Sequence, residues 1–243
     1  VDGRFLIGEK HSVYTKTVSI YTDKAAVIVF WLLQEGVTRK DFSIREVAVA
    51  TQVSVGLVQK VFKYLINKGL LNSRGIRTSK SFFISKPQKL LADWIKNYHI
   101  VKKCKIRTYR SAFTSVNEMI RALDKSGLSK HVTLALHSAA AAYSCKNTNI
   151  ETLELYVIDK DQRMNIETEL NLEEQEKGYQ VLLIEPYYKA LLNLADQEYQ
   201  GVKISPEILT FLDLFHFPLR GNEQAIFMAE RIKKISRIFK LEG

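Results

Sequence analysis

Cysteine is almost missing from this chain of 243 residues. Cys104 and Cys145 are the only two, too few for a disulfide framework and without metal-ligand spacing. That scarcity suits a reduced, intracellular setting and leads to the expectation of a cytoplasmic protein. No apolar run has the length of a membrane span, and the first residues carry no signal-peptide core, so no membrane association is expected. A glycine-rich phosphate loop is absent too. The five histidines (11, 99, 131, 137 and 216) are scattered with no paired metal spacing. No repeat or low-complexity tract is visible. These absences argue against a stapled secreted module, a spanning protein and a phosphate-loop enzyme, and they give no reason to expect a metal or cofactor.

Acidic residues are scarce in one half only. Residues 1–110 hold 21 Lys and Arg against 7 Asp and Glu, a balance of +14, whereas residues 111–243 stand at −4. Such a split suggests one domain for a polyanion and a second with a different task. The length leaves room for two domains, and 46% hydrophobic residues is ordinary for a globular chain.

Within the basic half, Ser43 to Ile84 is the most organised stretch. Ser43 and Glu46 have the capping-box spacing, with hydroxyl and carboxylate each satisfying a free backbone donor. A short helix then runs to Thr51, and the turn Gln52-Val53 leads to Ser54, a second N-cap. Val55, Val58, Val61, Phe62 and Leu65 recur at helical spacing as one buried stripe. Lys68-Gly69 closes this helix. Its other face holds Gly56, Gln59, Lys60, Lys63 and Asn67, polar and cationic. Strands from Leu70 to Arg74 and from Lys80 to Ile84 follow, around a loop bearing Arg77. This is the pattern of a winged helix-turn-helix, whose second helix enters the DNA major groove. A plain helical domain with solvated lysines is the competing reading, and the agreement of cap, turn, stripe, glycine and basic hairpin outweighs it. Candidate DNA contacts are Ser43, Arg45, Ser54, Gly56, Gln59, Lys60, Lys63, Arg74, Arg77 and Lys80, with double-stranded operator DNA as the partner.

Around this unit, residues 1–12 are expected to form a loose arm and Val13 to Tyr21 a strand. Asp23 is expected to cap an apolar helix through Gln34. Pro87 opens a helix whose Leu90, Leu91, Trp94, Ile95 and Tyr98 form one face, read as core in preference to a base-stacking surface. Residues 100–110, with five cations, look extended and serve either as a second phosphate-contacting surface or as a solvated linker. From Ser115 the character changes. Expected are a helix capped by Ser115 and Glu118, strands at Val132–Leu136, Leu153–Ile158 and Val181–Ile184, and a small-residue helix at Ser138–Tyr143. Helices are also expected at Tyr187–Ala195 and from Ser205-Pro206 to Phe215. A last helix over Glu223–Phe239 has Arg231, Lys233, Lys234, Arg237 and Lys240 at its cationic end. The fold class is α+β: an arm and strand (1–22), a winged helix-turn-helix with connecting helix (23–98), and a mixed α/β domain (99–243).

The best catalytic candidate is Asp159-Lys160-Asp161, since two carboxylates past a strand end can hold a divalent cation for nucleotidyl transfer. The Gly-Ser loop such chemistry needs has only His137-Ser138 as its analogue, without glycine. A polar turn is the better reading. Adjacent His137 and Ser138 do not make a triad, and the chain is read as non-enzymatic.

The order of pieces after the hairpin resembles the AbiEi antitoxins of type IV toxin–antitoxin systems, which are DNA-binding transcriptional regulators. The resemblance rests on KPQKLLADWIKNY, the basic strand, LALHSAAAAY, ELYVID, VLLIEP and SPEILTFLDLFHFPLRGNEQAIFMAERI. The family's serine-proline helix, aspartate-leucine pair and following stretch fall here on Ser205, Pro206, Asp213, Leu214, Arg220, Gly221, Glu223 and Ala225. Where the family usually has Thr-Gly, this chain has His137-Ser138. The resemblance implies repression of the chain's own operon and a neighbouring nucleotidyltransferase-like toxin that need not be touched directly. The alternative is an ordinary winged-helix transcription factor whose second domain senses a ligand in a concave apolar pocket.

Overall fold

The computed structural model describes residues 19–76 and 79–240. The expected arm and most of the expected strand before Tyr21 lie outside them. Ile20 and Tyr21 form a buried turn, not a strand. Helix α1 (Asp23–Gln34) is apolar almost all round, and Ala25 through Leu33 are all buried. Its N-cap is Thr22, with no side-chain cap bond. Asp23 instead lies in the first turn, where a carboxylate favours the helix dipole, and accepts a hydrogen bond from the Ala190 N–H at 2.8 Å.

Helices α2 (Ile44–Thr51) and α3 (Val55–Asn67) pack under α1, followed by strands β1 (Leu71–Arg74) and β2 (Ser81–Ile84). The strands pair antiparallel from Leu71–Ile84 to Arg74–Ser81, and Phe42 bridges to Phe82. Trp31, Phe42, Phe62 and Phe82 meet edge to face, at centroid separations of 5.2, 6.0 and 4.9 Å. Each such contact adds about 1 kcal/mol beyond the area it buries, so helices and hairpin share one aromatic core. Helix α4 (Pro87–Asn97) follows, with Leu90, Leu91, Trp94 and Ile95 buried. Trp94 and Tyr98 are 0% and 1% exposed, as expected of core residues.

The second half is built on a seven-stranded mixed sheet. After the single turn α5 (Ile100–Lys103) come β3 (Lys105–Ser111), α6 (Val116–Lys125), β4 (Val132–Leu134), α7 (Leu136–Ala142) and β5 (Leu153–Val157). Then follow α8 (Arg163–Glu169), β6 (Leu172–Glu174), β7 (Val181–Glu185), α9 (Lys189–Leu192), β8 (Glu198–Tyr199), β9 (Val202–Ile204), α10 (Glu207–Phe215), α11 (Gly221–Arg231) and α12 (Lys233–Ser236). Strand order is β6-β3-β7-β5-β4-β9-β8, with β5–β7 and β4–β9 parallel and the other pairs antiparallel. The architecture is mixed α/β.

Alternation along the central strands divides the apolar side chains between two layers. Leu153, Leu155 and Val157 join Val181 and Leu183 beneath α6 and α8. Tyr156, Leu182 and Ile184 face the other way, onto a core shared by α1 to α4, α7 and α9 to α12. One continuous core therefore runs from the N-terminal helices into the second half. Hydrogen bonds cross the same seam. Trp94 Nε1 donates to Tyr188 Oη at 2.9 Å, Tyr188 donates to the Tyr21 carbonyl at 3.1 Å, and Tyr21 donates to Asp93 at 2.6 Å.

Several expected boundaries shift. The run 100–110 is not a linker: its second part is β3, hydrogen-bonded on both sides by β6 and β7. The helix expected over Tyr187–Ala195 is one turn, and the last expected helix breaks at extended Ile232 into α11 and α12.

Candidate nucleic-acid interface

The α2 N-terminus carries the full capping box. Glu46 N–H donates to Ser43 Oγ at 3.1 Å, and the Ser43 N–H donates to the Glu46 carboxylate at 3.3 Å. Arg39 pairs with that same carboxylate while lying 5.3 Å from the Trp31 ring centroid. Gln52 takes the left-handed conformation, φ 52°, that turns the chain toward α3, a conformation tolerated at single residues. Ser54 then caps α3, accepting from the Leu57 N–H at 3.3 Å.

On α3, Val58, Val61, Phe62 and Leu65 are buried, whereas Gly56, Gln59, Lys60, Lys63 and Asn67 are exposed. Val55 departs from the expected stripe and is 42% exposed. The stripe fixes which side of a helix faces the core; it does not say how far along the helix the core extends, and Val55 stands beyond its edge. Arg45 projects from α2, also exposed. Among the described residues Arg45, Lys60, Lys63, Arg74 and Lys80 have no acidic partner within ion-pair distance.

The hairpin holds its cations against aromatic rings. Arg74 Cζ stands 4.4 Å from the Phe83 centroid and Lys80 Nζ 5.5 Å from that of Phe82. Such contacts are worth about 0.5–1 kcal/mol at exposed sites and restrict where the charges can point. Gly75 turns the chain at φ +73°, and a Cβ there would lie 2.5 Å from the Ser79 carbonyl oxygen, so only glycine fits. Arg77, expected at the hairpin tip, lies outside the described residues. Nine of the ten candidate residues thus lie among the described residues. Ser43, Arg45, Ser54, Gly56, Gln59, Lys60 and Lys63 lie on the α2–α3 unit, and Arg74 and Lys80 on the hairpin.

Other cation clusters are paired in part; Lys102, Lys103 and Arg110 in the run 100–110, and Lys233, Arg237 and Lys240 near the C-terminus, have no ion pair among the described residues. On β3, Lys105 pairs with Glu185 at 3.9 Å and Arg107 with Glu174 at 3.6 Å. Near the C-terminus, Lys234 pairs with Glu207 at 2.9 Å, and Arg231 lies over the Phe227 ring and 3.4 Å from Glu230.

The catalytic candidate forms a polar turn. Asp159 accepts from the Asp161 N–H at 3.0 Å and faces His131 at 3.6 Å, while Lys160 reaches Glu185 at 2.5 Å. Ser138 points elsewhere. Its hydroxyl donates to Glu154 at 2.5 Å and its N–H donates to the same carboxylate at 2.8 Å, with Thr152 and Tyr179 as further donors. Burial raises the Glu154 pKa against the pull of these donors. His137, beside Ser138, is buried with neither ring nitrogen hydrogen-bonded, and burial lowers its pKa. Asp213 accepts from Tyr98 and Tyr156, both at 2.8 Å, and burial lifts its pKa to about 7. The network around Glu154 and Asp213 was not anticipated from the sequence. The available signal was an acid inside an otherwise apolar segment, in LELYV and in FLDLF. Among the described residues no three His, Cys, Asp or Glu side chains gather as metal ligands, and no helix is long and apolar enough to cross a membrane.

A family model described as transcriptional regulator, AbiEi antitoxin, type IV toxin–antitoxin system matches residues 83–234. The match begins within β2, so it covers α4 to α11 and the whole seven-stranded sheet but not α1 to α3. No curated protein and no solved structure matches the chain. With well over half its length matched, and with the leucine-tryptophan helix, the small-residue helix and the serine-proline helix all inside that span, the chain belongs to the AbiEi antitoxins, transcriptional regulators of type IV toxin–antitoxin systems.

Proposed function

We propose that α1 to α3 and the β1–β2 hairpin form a winged helix-turn-helix through which the chain binds duplex operator DNA and represses its own operon in the cytoplasm. In this reading residues 23–98 are the DNA-binding unit and residues 99–243 the antitoxin body. The counterpart is a nucleotidyltransferase-like toxin encoded beside it, opposed without any requirement for direct contact. The observation that carries the DNA reading is the exposed α3 face, Gly56, Gln59, Lys60 and Lys63, flanked by Arg74 and Lys80 on the hairpin. The first turns of α3 are the part that meets base edges in the major groove. Gln59 is suited to an adenine edge and Lys60 to guanine or phosphate. Ser43, Arg45 and Ser54, at two helix starts, would make backbone contacts. Arg74, Lys80 and Arg77 would follow the phosphates or the adjoining minor groove.

The test is a titration of the full chain against the duplex upstream of its own gene. Replacing Gln59, Lys60 and Lys63 together by alanine should reduce affinity at least a hundredfold, because two phosphate-capable charges and a base-reading amide are lost. Unchanged affinity of a folded triple variant would reject the interface. A ligand-sensing role would draw on a cavity of about 190 Å³ between α1, the end of α2 and the second half, lined by Trp31, Thr51, Tyr143 and Glu207 among others, or on one of about 270 Å³ within the second half, lined by Ile120, Leu134, His137 and Thr152 among others. A metabolite that raises the melting temperature, together with a metabolic operon beside the gene, would favour that reading.

A further inference from the structure

We infer that Val55 reads the C5-methyl group of a thymine within two base steps of the base addressed by Gln59, an inference that rests on the DNA-binding reading above. Three observations converge on the first turn of α3. Val55 is 42% exposed, an apolar side chain at the border between the buried stripe and the cationic face, and the other exposed apolar residue of α3, Ile66, lies at the far end of the helix. Gly56 beside it has no left-handed φ, and a Cβ there would meet nothing within 4 Å. Neither backbone conformation nor internal packing therefore explains the glycine, although glycine costs a helix up to about 1 kcal/mol relative to alanine. On the other side, the Ser54 hydroxyl is turned back onto the Leu57 N–H. The helix end thus presents one isopropyl group with little bulk on either side.

The occupant of this surface is fixed by charge. Lys60, Lys63 and Arg45 are exposed and have no acidic partner among the described residues, which suits a polyanion. Of the groups that base pairs display in the major groove, the thymine methyl is the one apolar patch, and an aliphatic side chain is its complement. Val55 and Gln59 lie four residues apart on neighbouring turns of the same side. That spacing is about 6 Å along the helix, against roughly 3.4 Å per base step, so the two side chains address pairs one or two steps apart. The missing side chain at Gly56 lets the helix end descend far enough for the isopropyl group to reach the methyl.

The experiment uses the full chain and a duplex selected by it from a random pool. Each thymine is replaced in turn by deoxyuridine, which deletes the methyl group and leaves the hydrogen-bonding edge intact. One substitution should weaken binding about fourfold, the value of a single buried methyl group. Val55→Ala should weaken binding to the unmodified duplex by a similar factor and become indifferent to that same substitution, a non-additive cycle. Val55→Ile should keep the sensitivity. Binding that no deoxyuridine affects, or an Ala variant that retains the full penalty, overturns the inference while leaving DNA binding intact. Failure to select any duplex overturns the DNA-binding reading itself, so the two failures are distinguishable.

Discussion

At Gly56, on the DNA-binding reading, helix stability and binding pull in opposite directions. Its position, second in a helix of 13 residues with open space around the missing side chain, makes alanine the better helix former by up to about 1 kcal/mol. Gly56→Ala should therefore raise the melting temperature slightly. On the DNA-binding reading it should also lower affinity for the operator, about tenfold, because a methyl group stands where the groove must close in. A variant that is both more stable and an equal or better binder would show that the glycine has no role at the interface. The neighbouring residues illustrate how far single side chains were legible. Ser43, Glu46 and Ser54 were readable because capping is settled within four residues of chain. Val55 was misplaced because periodicity gives a direction and not a neighbour. Glu154 and Asp213 stayed hidden because their hydrogen-bond partners, at Ser138 and Thr152 and at Tyr98 and Tyr156, come from other elements.

At the scale of elements, the hairpin is the piece whose geometry adds most to the sequence reading. The sequence indicates that Arg74 and Lys80 sit beside a turn; the structure adds that Arg74 lies over Phe83 and Lys80 over Phe82. Phe82 is part of the aromatic core, while Phe83 on the opposite side of the strand is only half-buried. Phe83→Leu should thus leave the fold intact and release Arg74 to wander. Operator affinity should fall about two- to fivefold, in keeping with a cation–π contact of about 0.5–1 kcal/mol. Combined with Arg74→Ala, it should cost nothing further, since the ring acts through the guanidinium. Independent, additive losses in that cycle would mean that the ring does not position the charge. Elements defined by remote partners were the hardest to foresee. β3 carries so many cations that its sequence suits a phosphate-contacting surface or a linker equally, yet β6 and β7 bind it on both edges. β6, β8 and β9 are two or three residues long and exist only through their pairings. The break between α11 and α12 at Ile232 has no glycine or proline to announce it.

Across the whole molecule, the charge split suggested two halves, and the core joins them. A single buried carboxylate makes that joint titratable. Asp213 on α10 is fully buried, accepts from Tyr98 at the end of α4 and from Tyr156 on β5, and has no ion pair among the described residues. Its pKa rises from the ordinary aspartate range to about 7, with burial as the largest cause and the two tyrosine hydroxyls pulling the other way. Because the folded state holds this proton more tightly than the unfolded state, the contribution to stability is complete below about pH 4. It is lost as the pH rises toward 7. The wild-type chain should accordingly lose about 2–3 kcal/mol between pH 5 and pH 8 from this group alone. Glu154, raised in the same direction by burial, adds to the trend, while His137, lowered by burial, opposes it below about pH 6.5. Asp213→Asn separates them, since the amide keeps one acceptor for a tyrosine and cannot ionise. Calorimetric unfolding at pH 5, 6, 7 and 8 should show a flatter profile for the variant, with its greatest advantage over the wild type at pH 8. Parallel profiles would mean that the carboxylate does not titrate in this window. The shared core also predicts that the slope appears in one cooperative transition for the full chain, because Tyr98 closes α4, which packs in one core with the N-terminal helices, and Asp213 lies on α10 of the second half.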